Sequence, residues 1–276
     1  MKRSLVVLSG GQDSTTCLFY AKERSEEVHA ITFDYGQNHR IEIESAKKVA
    51  EMAGVKSFEV INVAGTLKST SPLTNNGEGL ERYENAQQMH VVIGDRIEKT
   101  FVPMRNQLFL TIAYNRAVDL NCQTIYTGIC EEDNANYPDC TSNFRDTIEV
   151  SSNYALGNID DSGNIKPNYI DIKAPLLNMS KVESVKLAYA IPGCWEALAY
   201  SHTSYDGKYP PTDMNHSNVL RAKGFEDAGL PDPLVLRAWV EGYMPLPETT
   251  NYDKFLHLSH SLFANKESML KELLNV

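Results

Sequence analysis

Ser9-Gly-Gly-Gln-Asp-Ser14-Thr15 carries the densest set of residues able to do chemistry in this chain. Leu8 closes a short apolar run, Val6 to Leu8, that reads as a strand buried on both faces of a parallel sheet. Gly10 and Gly11 tolerate torsions that other residues resist and let a ligand approach the main chain. Gln12, Asp13, Ser14 and Thr15 then open a helix. The free N–H groups at a helix start, with the positive end of its dipole, make an anion site. The simplest anion to place there is the phosphate chain of a nucleotide. The loop is not a Walker loop, because no Lys-Ser or Lys-Thr pair follows at the required spacing, and Gly-x-Gly-x-x-Gly is absent.

Other candidates sit where further strands end. Asp34-Tyr35-Gly36-Gln37 follows Val28 to Phe33 and is placed to meet the adenosine part of a nucleotide. Asp and Gly also form plain turns there. Arg105 precedes Asn106, which is expected to cap a helix running to about Leu120. Its planar fork suits a phosphate or carboxylate, although a lone arginine can equally be a surface residue. Glu131, Asp133, Tyr137 and Asp139 crowd the loop after the strand Gln123 to Thr127. Carboxylates can accept from the N–H groups of a guanine-like base and Tyr137 can stack on it. The bland alternative is an acidic solvated loop. Ser180 and Glu183 form a capping box. Lys181, in that helix's first turn, opposes the dipole, so its charge is available for an anion such as phosphate.

The elements that must position these residues alternate. Strand, helix (Ser14 to Arg24), strand, helix (Arg40 to Ala53, stopped by Gly54) and strand (Ser57 to Asn62) give β-α-β-α-β. That order predicts an α/β, doubly wound parallel sheet. Residues 67–99 read as a long polar loop. Helix is expected at 144–156, an extended segment at 169–177, a helix ending at Gly224, a short helix with Leu236 and Trp239, and amphipathic helix over 251–274. An α/β domain over 1–190 with a mostly helical extension over 191–276 is the expected division.

The chain has 276 residues and a formal net charge of −10, which gives no bulk attraction to nucleic acid. Apolar runs fall short of the roughly 20 residues that span a membrane. The N-terminus enters a strand directly, so neither a secretory signal nor a membrane partner is expected, and the expected location is cytoplasmic. Five scattered cysteines without a C-x-x-C pair read as reduced thiols.

Ser9-Gly-Gly-x-Asp-Ser14 resembles the pyrophosphate loop (PP-loop) of the ATP pyrophosphatases. Taken with Thr32-Phe-Asp-Tyr-Gly-Gln37, Phe101-Val-Pro-Met-Arg-Asn106, Thr127-Gly-Ile-Cys-Glu-Glu-Asp133, Tyr137-Pro-Asp-Cys140 and Leu220-Arg-Ala-Lys-Gly-Phe225, it closely resembles the 7-cyano-7-deazaguanine (preQ0) synthases of the QueC family over about residues 1–225. The resemblance implies a PP-loop fold and an ATP-dependent ligase of queuosine biosynthesis. It converts 7-carboxy-7-deazaguanine and ammonia to the nitrile through adenylated intermediates. Leu8 to Thr15 would hold the phosphates, with Asp13 assisting Mg²⁺ and Ser14 in the reacting loop. Asp34 would border the adenosine. Arg105, Glu131, Asp133, Tyr137 and Asp139 would line the deazaguanine side, and Lys181 would stabilise charge. Family members are commonly homodimers.

Two departures stand out. Met104 replaces the family's usual glycine. The resemblance also implies a four-cysteine zinc site, but Ser204, Thr212, Asn215 and Asn218 occupy those positions. These side chains do not substitute for thiolates on Zn²⁺, so no zinc is expected there. Two alternatives follow: a ligase that conjugates the adenylated deazaguanine carboxylate to an amine of a protein or other acceptor, and a nucleotide-binding module without turnover.

Overall fold

A computed structural model describes residues 2–37, 40–74, 79–131, 137–205 and 207–256. Five strands, β1 (Arg3–Val7), β2 (Glu27–Asp34), β3 (Ser57–Asn62), β4 (Thr124–Tyr126) and β5 (Asp171–Lys173), form one sheet in the order β3-β2-β1-β4-β5. Every pairing is parallel. The chain winds outward from β1 to β3, then returns to the other side of β1 with β4. The crevice between the C-terminal ends of β1 and β4 is therefore the topological switch point, where open α/β sheets bind ligands.

Apolar strands follow from coverage on both faces. Val6, Ala30 and Tyr126 point to one core with Leu18, Phe19 and Val49, whereas Leu5, Ile31 and Ile125 point to the other with Leu110 and Ile148. The first face carries α1 (Gln12–Lys22) and α2 (Ile41–Ala53), the latter closed by left-handed Gly54. An eight-residue helix, α3 (Ala86–Ile93), corrects the expectation of a loop over 67–99; Asn85 caps it by accepting from Gln88 N at 2.9 Å. The second face carries α4 (Arg105–Asp119) and α5 (Ser142–Ala155).

Next come α6 (Lys181–Ala190), α7 (Cys194–Leu198), α8 (His216–Ala228), α9 (Pro233–Val240) and α10 (Asp253–Leu256). Trp195, Leu198 and Phe225 enter the same core as α1 and α2, so that core runs across position 190. Leu236, Trp239, Leu246, Tyr252 and Phe255 form a smaller core of their own. The expected helix over 251–274 begins as a 3₁₀ turn and α10; its remainder lies outside the described residues.

Two helix ends differ from expectation. Asn106 is not the cap of α4. The cap is two residues earlier, at Met104 with φ 64°, and the Asn106 amide donates to the Asp139 carbonyl at 3.1 Å. Gly224 does not end α8, which runs on to a left-handed cap at Gly229. Among the described residues no helix is long and apolar enough to cross a membrane.

Candidate active site

The loop between β1 and α1 closes on its own serines. Ser9 N donates to Ser14 Oγ at 3.1 Å, the two hydroxyls lie 2.9 Å apart, and Ser14 Oγ donates to the Gly11 carbonyl at 3.2 Å. No side chain caps α1, whose N-cap is Gly11, so its first N–H groups face the crevice as an anion site. Two glycines are sterically required. Gly10 sits at φ 85°, and a Cβ there would meet Ala46 N at 2.7 Å. A Cβ on Gly128, just beyond β4, would meet Ser14 N at 2.8 Å. Glycine at 10 lets the phosphate loop press on the main chain of α2, and glycine at 128 lets the segment after β4 touch the start of α1.

A cavity of about 300 Å³ opens over this loop. Ser9, Gly11, Gln12, Asp13 and Ser14 line one side, with Lys181 beside them. Lys181 Nζ donates to both Asp13 oxygens, at 3.1 and 3.2 Å. The charge that opposes the α6 dipole is thus held by a carboxylate at the start of α1. Its stem passes Gly224 so closely that a Cβ on that glycine would lie 3.2 Å from Lys181 Cβ and inside contact distance of Cγ.

Arg105, Asn106 and Phe109 of α4 form the facing wall, with Tyr35, Glu42, Tyr137 and Cys140. The Arg105 guanidinium lies 5.8 Å from the Tyr35 ring centroid. Burial opposes its charge, but surrounding phenol and carboxyl oxygens outweigh that and move its pKa upward. Burial pushes the Glu42 carboxyl up to about 7, against the pull of Arg105. Asp139 is also raised by burial and also opposed by Arg105. The wall therefore sets one fixed cation beside carboxyls whose charged forms burial disfavours, an arrangement that accepts an anionic group.

The third wall is made by His202, Thr203, Tyr205, His216 and Ser217. His202 N donates to the Gly10 carbonyl at 2.8 Å and ties this wall to the phosphate loop. The buried Arg221 fork, which also reaches the cavity lining, holds it in place. Nη1 donates to Ser201 Oγ at 2.7 Å and Thr203 Oγ1 at 2.8 Å, while Nε and Nη2 grip Asp232 at 2.6 and 2.8 Å. His216 is buried with Nε2 lacking a partner, and burial, then Lys181 and His90, lower its pKa to about 4.

Of the residues singled out from sequence, Ser9, Gly11, Gln12, Asp13, Ser14, Arg105, Tyr137 and Lys181 line this one cavity. Leu8 and Thr15 are wholly buried beneath it, and Gly10 packs on α2. Asp34 ends β2 and accepts from Gly36 N at 3.3 Å; its neighbour Tyr35, not Asp34, lines the cavity. Asp139 is buried behind the wall, and Glu131 is exposed and outside the lining. Asp133 lies outside the described residues. Glu42, His202 and His216 join the site without any motif to announce them, and Tyr205 follows Ser204, the first of the family's zinc positions. Only the crossing of distant segments brings them there.

At the positions of the family's zinc cysteines, Ser204, Asn215 and Asn218 are buried and Thr212 is exposed. The three buried side chains all donate to the carboxylate of Asp213. Neutral hydroxyl and amide groups turned as donors toward a carboxylate do not fit Zn²⁺, which takes thiolate, imidazole or carboxylate ligands.

The family model described as "Queuosine biosynthesis protein QueC" matches residues 3–229. The 7-cyano-7-deazaguanine synthase of Gloeobacter violaceus is 43% identical over 238 residues, 85% of this chain and 96% of that protein. That of Chromobacterium violaceum is 40% identical over 242 residues, 87% of this chain and 96% of that protein. Among solved structures, the NMN synthetase of Francisella tularensis overlaps 93% of this chain and 84% of its own with a TM-score of 0.41 at 14% identity. The NH3-dependent NAD synthetase of Campylobacter jejuni overlaps 99% and 84% with a TM-score of 0.38, also at 14% identity.

Proposed function

The chain belongs to the QueC family, and from that premise we propose that it is an ATP-dependent ligase making 7-cyano-7-deazaguanine from 7-carboxy-7-deazaguanine and ammonia. The observation that carries the reading is the meeting, in one cavity, of the β1–α1 anion loop and Arg105. One suits the phosphates of ATP, the other a carboxylate.

The chemistry follows from what each wall can hold. A carboxylate oxygen is a poor leaving group. Its attack on the α-phosphorus of ATP expels pyrophosphate and makes it a good one. Ammonia then attacks the acyl carbon and loses a proton to solvent as AMP departs, leaving the amide; a second ATP adenylates the amide oxygen with release of pyrophosphate, and loss of the two N–H protons to solvent with that oxygen departing as AMP leaves the nitrile. Throughout, the protein positions the reactants and stabilises charge near the α-phosphate. The α1 N–H groups hold phosphate oxygens, and Lys181 moves its charge between Asp13 and the phosphates as they arrive. Mg²⁺ fits this set, since it takes one or two carboxylates and completes its shell with phosphate oxygens and water. Asp13 is the carboxylate the phosphate loop offers, and the ion would neutralise phosphate charge. The site takes small molecules, with no nucleic acid or membrane partner, in a cytoplasmic setting.

Incubation with ATP, Mg²⁺, 7-carboxy-7-deazaguanine and ammonium, followed by product mass, tests the reading. The nitrile is the expected product. Pyrophosphate release without nitrile, when an amine other than ammonia is supplied and conjugated, would replace it with the amine-conjugating ligase.

A further inference from the structure

We propose that Asp213 does the work of a metal ion here: its carboxylate joins the two parts of the cavity's third wall, and the wall stands without zinc. Asp213 Oδ1 accepts from Ser204 Oγ and Asn218 Nδ2, and Oδ2 accepts from Asn215 Nδ2. The Asp213 carbonyl takes Asn218 Nδ2 as well, at 3.0 Å. Ser204 directly follows His202 and Thr203 of the wall, and Asn215 and Asn218 stand where α8 begins, so one anion ties both parts.

The donors cannot simply turn round. Asn215 Oδ1 already accepts from Asn218 N at 3.1 Å as the cap of α8, which aims its amide N–H at Asp213. Asn218 faces two acceptors of Asp213, which fixes its amide the same way. A half-buried carboxylate with three buried side chains donating to it is a charge-assisted hub, stronger than neutral bonds. Zinc would instead need deprotonated sulfur or other ligand atoms where these N–H and O–H groups stand. Between the tied residues lies Tyr205, with His202 and Thr203 just before and His216 and Ser217 within; all line the cavity. Asp213 is thus a positioning residue that acts on nucleotide and substrate through the wall.

The first test needs no activity. Protein from zinc-supplemented medium is analysed for metal and melted with and without a strong chelator. Substoichiometric zinc and an unchanged melting temperature are expected. One zinc per chain, whose removal lowers the melting temperature, overturns the proposal. The second test rests on the synthase reading above. In Asp213→Asn, either orientation of the new amide sets a donor against a donor. The KM for ATP is expected to rise roughly tenfold, as a mispaired buried donor warrants, with a smaller change in kcat. The exchange Asp213→Asn with Asn215→Asp restores every bond with the charge moved. The carboxylate introduced at position 215 caps α8 with one oxygen and, with the other, accepts from the amide introduced at position 213. The exchange variant should recover KM to within about threefold of the parent. An Asp213→Asn chain that is insoluble beside a soluble, active exchange variant supports the proposal equally. Unchanged KM in the single variant, or an exchange variant that is insoluble or no better than the single one, refutes it. Absence of nitrile from the parent protein would defeat the synthase reading alone and leave the metal and melting results to decide.

Discussion

Replacing Gly224 with Ala puts helix propensity and site geometry in opposition. Gly224 lies inside α8, where alanine is favoured by about 1 kcal/mol. The new Cβ, however, would lie 3.2 Å from Lys181 Cβ and inside contact distance of its Cγ. Overpacking of that kind costs about 1–3 kcal/mol. The net loss of stability is therefore between about 0 and 2 kcal/mol, tolerable for a domain stable by about 5–15. The functional loss should be larger. Lys181 escapes the clash only by leaving its place 3.1 Å from Asp13, and a 1 Å misplacement of a charge-stabilising group costs about 100-fold in rate. Steady-state pyrophosphate release should show kcat falling by about that factor while the melting temperature moves little. In a Lys181→Ala background the crowding atoms beyond Cβ are gone. Only the 3.2 Å approach of the two Cβ atoms remains, so the same Gly224→Ala change should then lie between neutral and a gain of about 1 kcal/mol. A Gly224→Ala enzyme with parental kcat, or one equally destabilised in both backgrounds, would refute the reasoning.

Other consequences can be checked by stability measurements alone. Met104 adopts φ 64° with an exposed side chain. Met104→Gly relieves strain of about 1–2 kcal/mol but frees the unfolded chain, so a gain of about 0.5 kcal/mol is expected, and a loss would contradict it. Asp232→Asn leaves the buried Arg221 fork without its counter-charge and should cost about 3–5 kcal/mol; a cost under 1 would show that solvent reaches the pair. His216 has its pKa lowered from 6.5 to about 4, so between those values the unfolded chain binds a proton that the folded one refuses. Stability from this group is full above pH 6.5 and drains as pH falls. From pH 7.5 to 5 the drain is about 2 kcal/mol. Comparing parent and His216→Gln by urea unfolding at both pH values should find that loss reduced in the variant, and parallel losses would exclude it.

Local rules read the phosphate-loop half of the molecule well. The runs Val6 to Leu8 and Val28 to Phe33 announce doubly covered strands, and β3 follows from alternation at Ser57 to Asn62. Gly54 and the Ser180–Glu183 box act within one turn of chain, where sequence alone decides. The errors share a cause. Gly224 reads as a stop because glycine weakens helices, but it is there to clear Lys181, some forty positions away in sequence. Asn106 reads as a cap because Asn suits one, but its amide is claimed by Asp139. Helix α3 is short and flanked by polar residues, so its apolar positions show no long period. Glu42 and His216 carry no motif and enter the cavity only through the packing of α2 and α8.

Helix α8 connects these observations. Its first turn is tied through Asn215 and Asn218 to Asp213, and so to Ser204 and the wall beside it. Its middle presents Gly224 to Lys181 and Arg221 to Ser201 and Thr203. Lys181 in turn holds Asp13 in the phosphate loop, and His202 holds Gly10. One rigid rod therefore sets two independent tethers on the same glycine loop. A shift of α8 along its axis moves the lysine and the wall together. Damage at Asp213 should consequently reach Lys181, although no bond between them is needed, and the effects of Asp213→Asn and Gly224→Ala on kcat should fall short of additivity. Full additivity would mean that the two tethers act through separate elements and that α8 does not transmit between them.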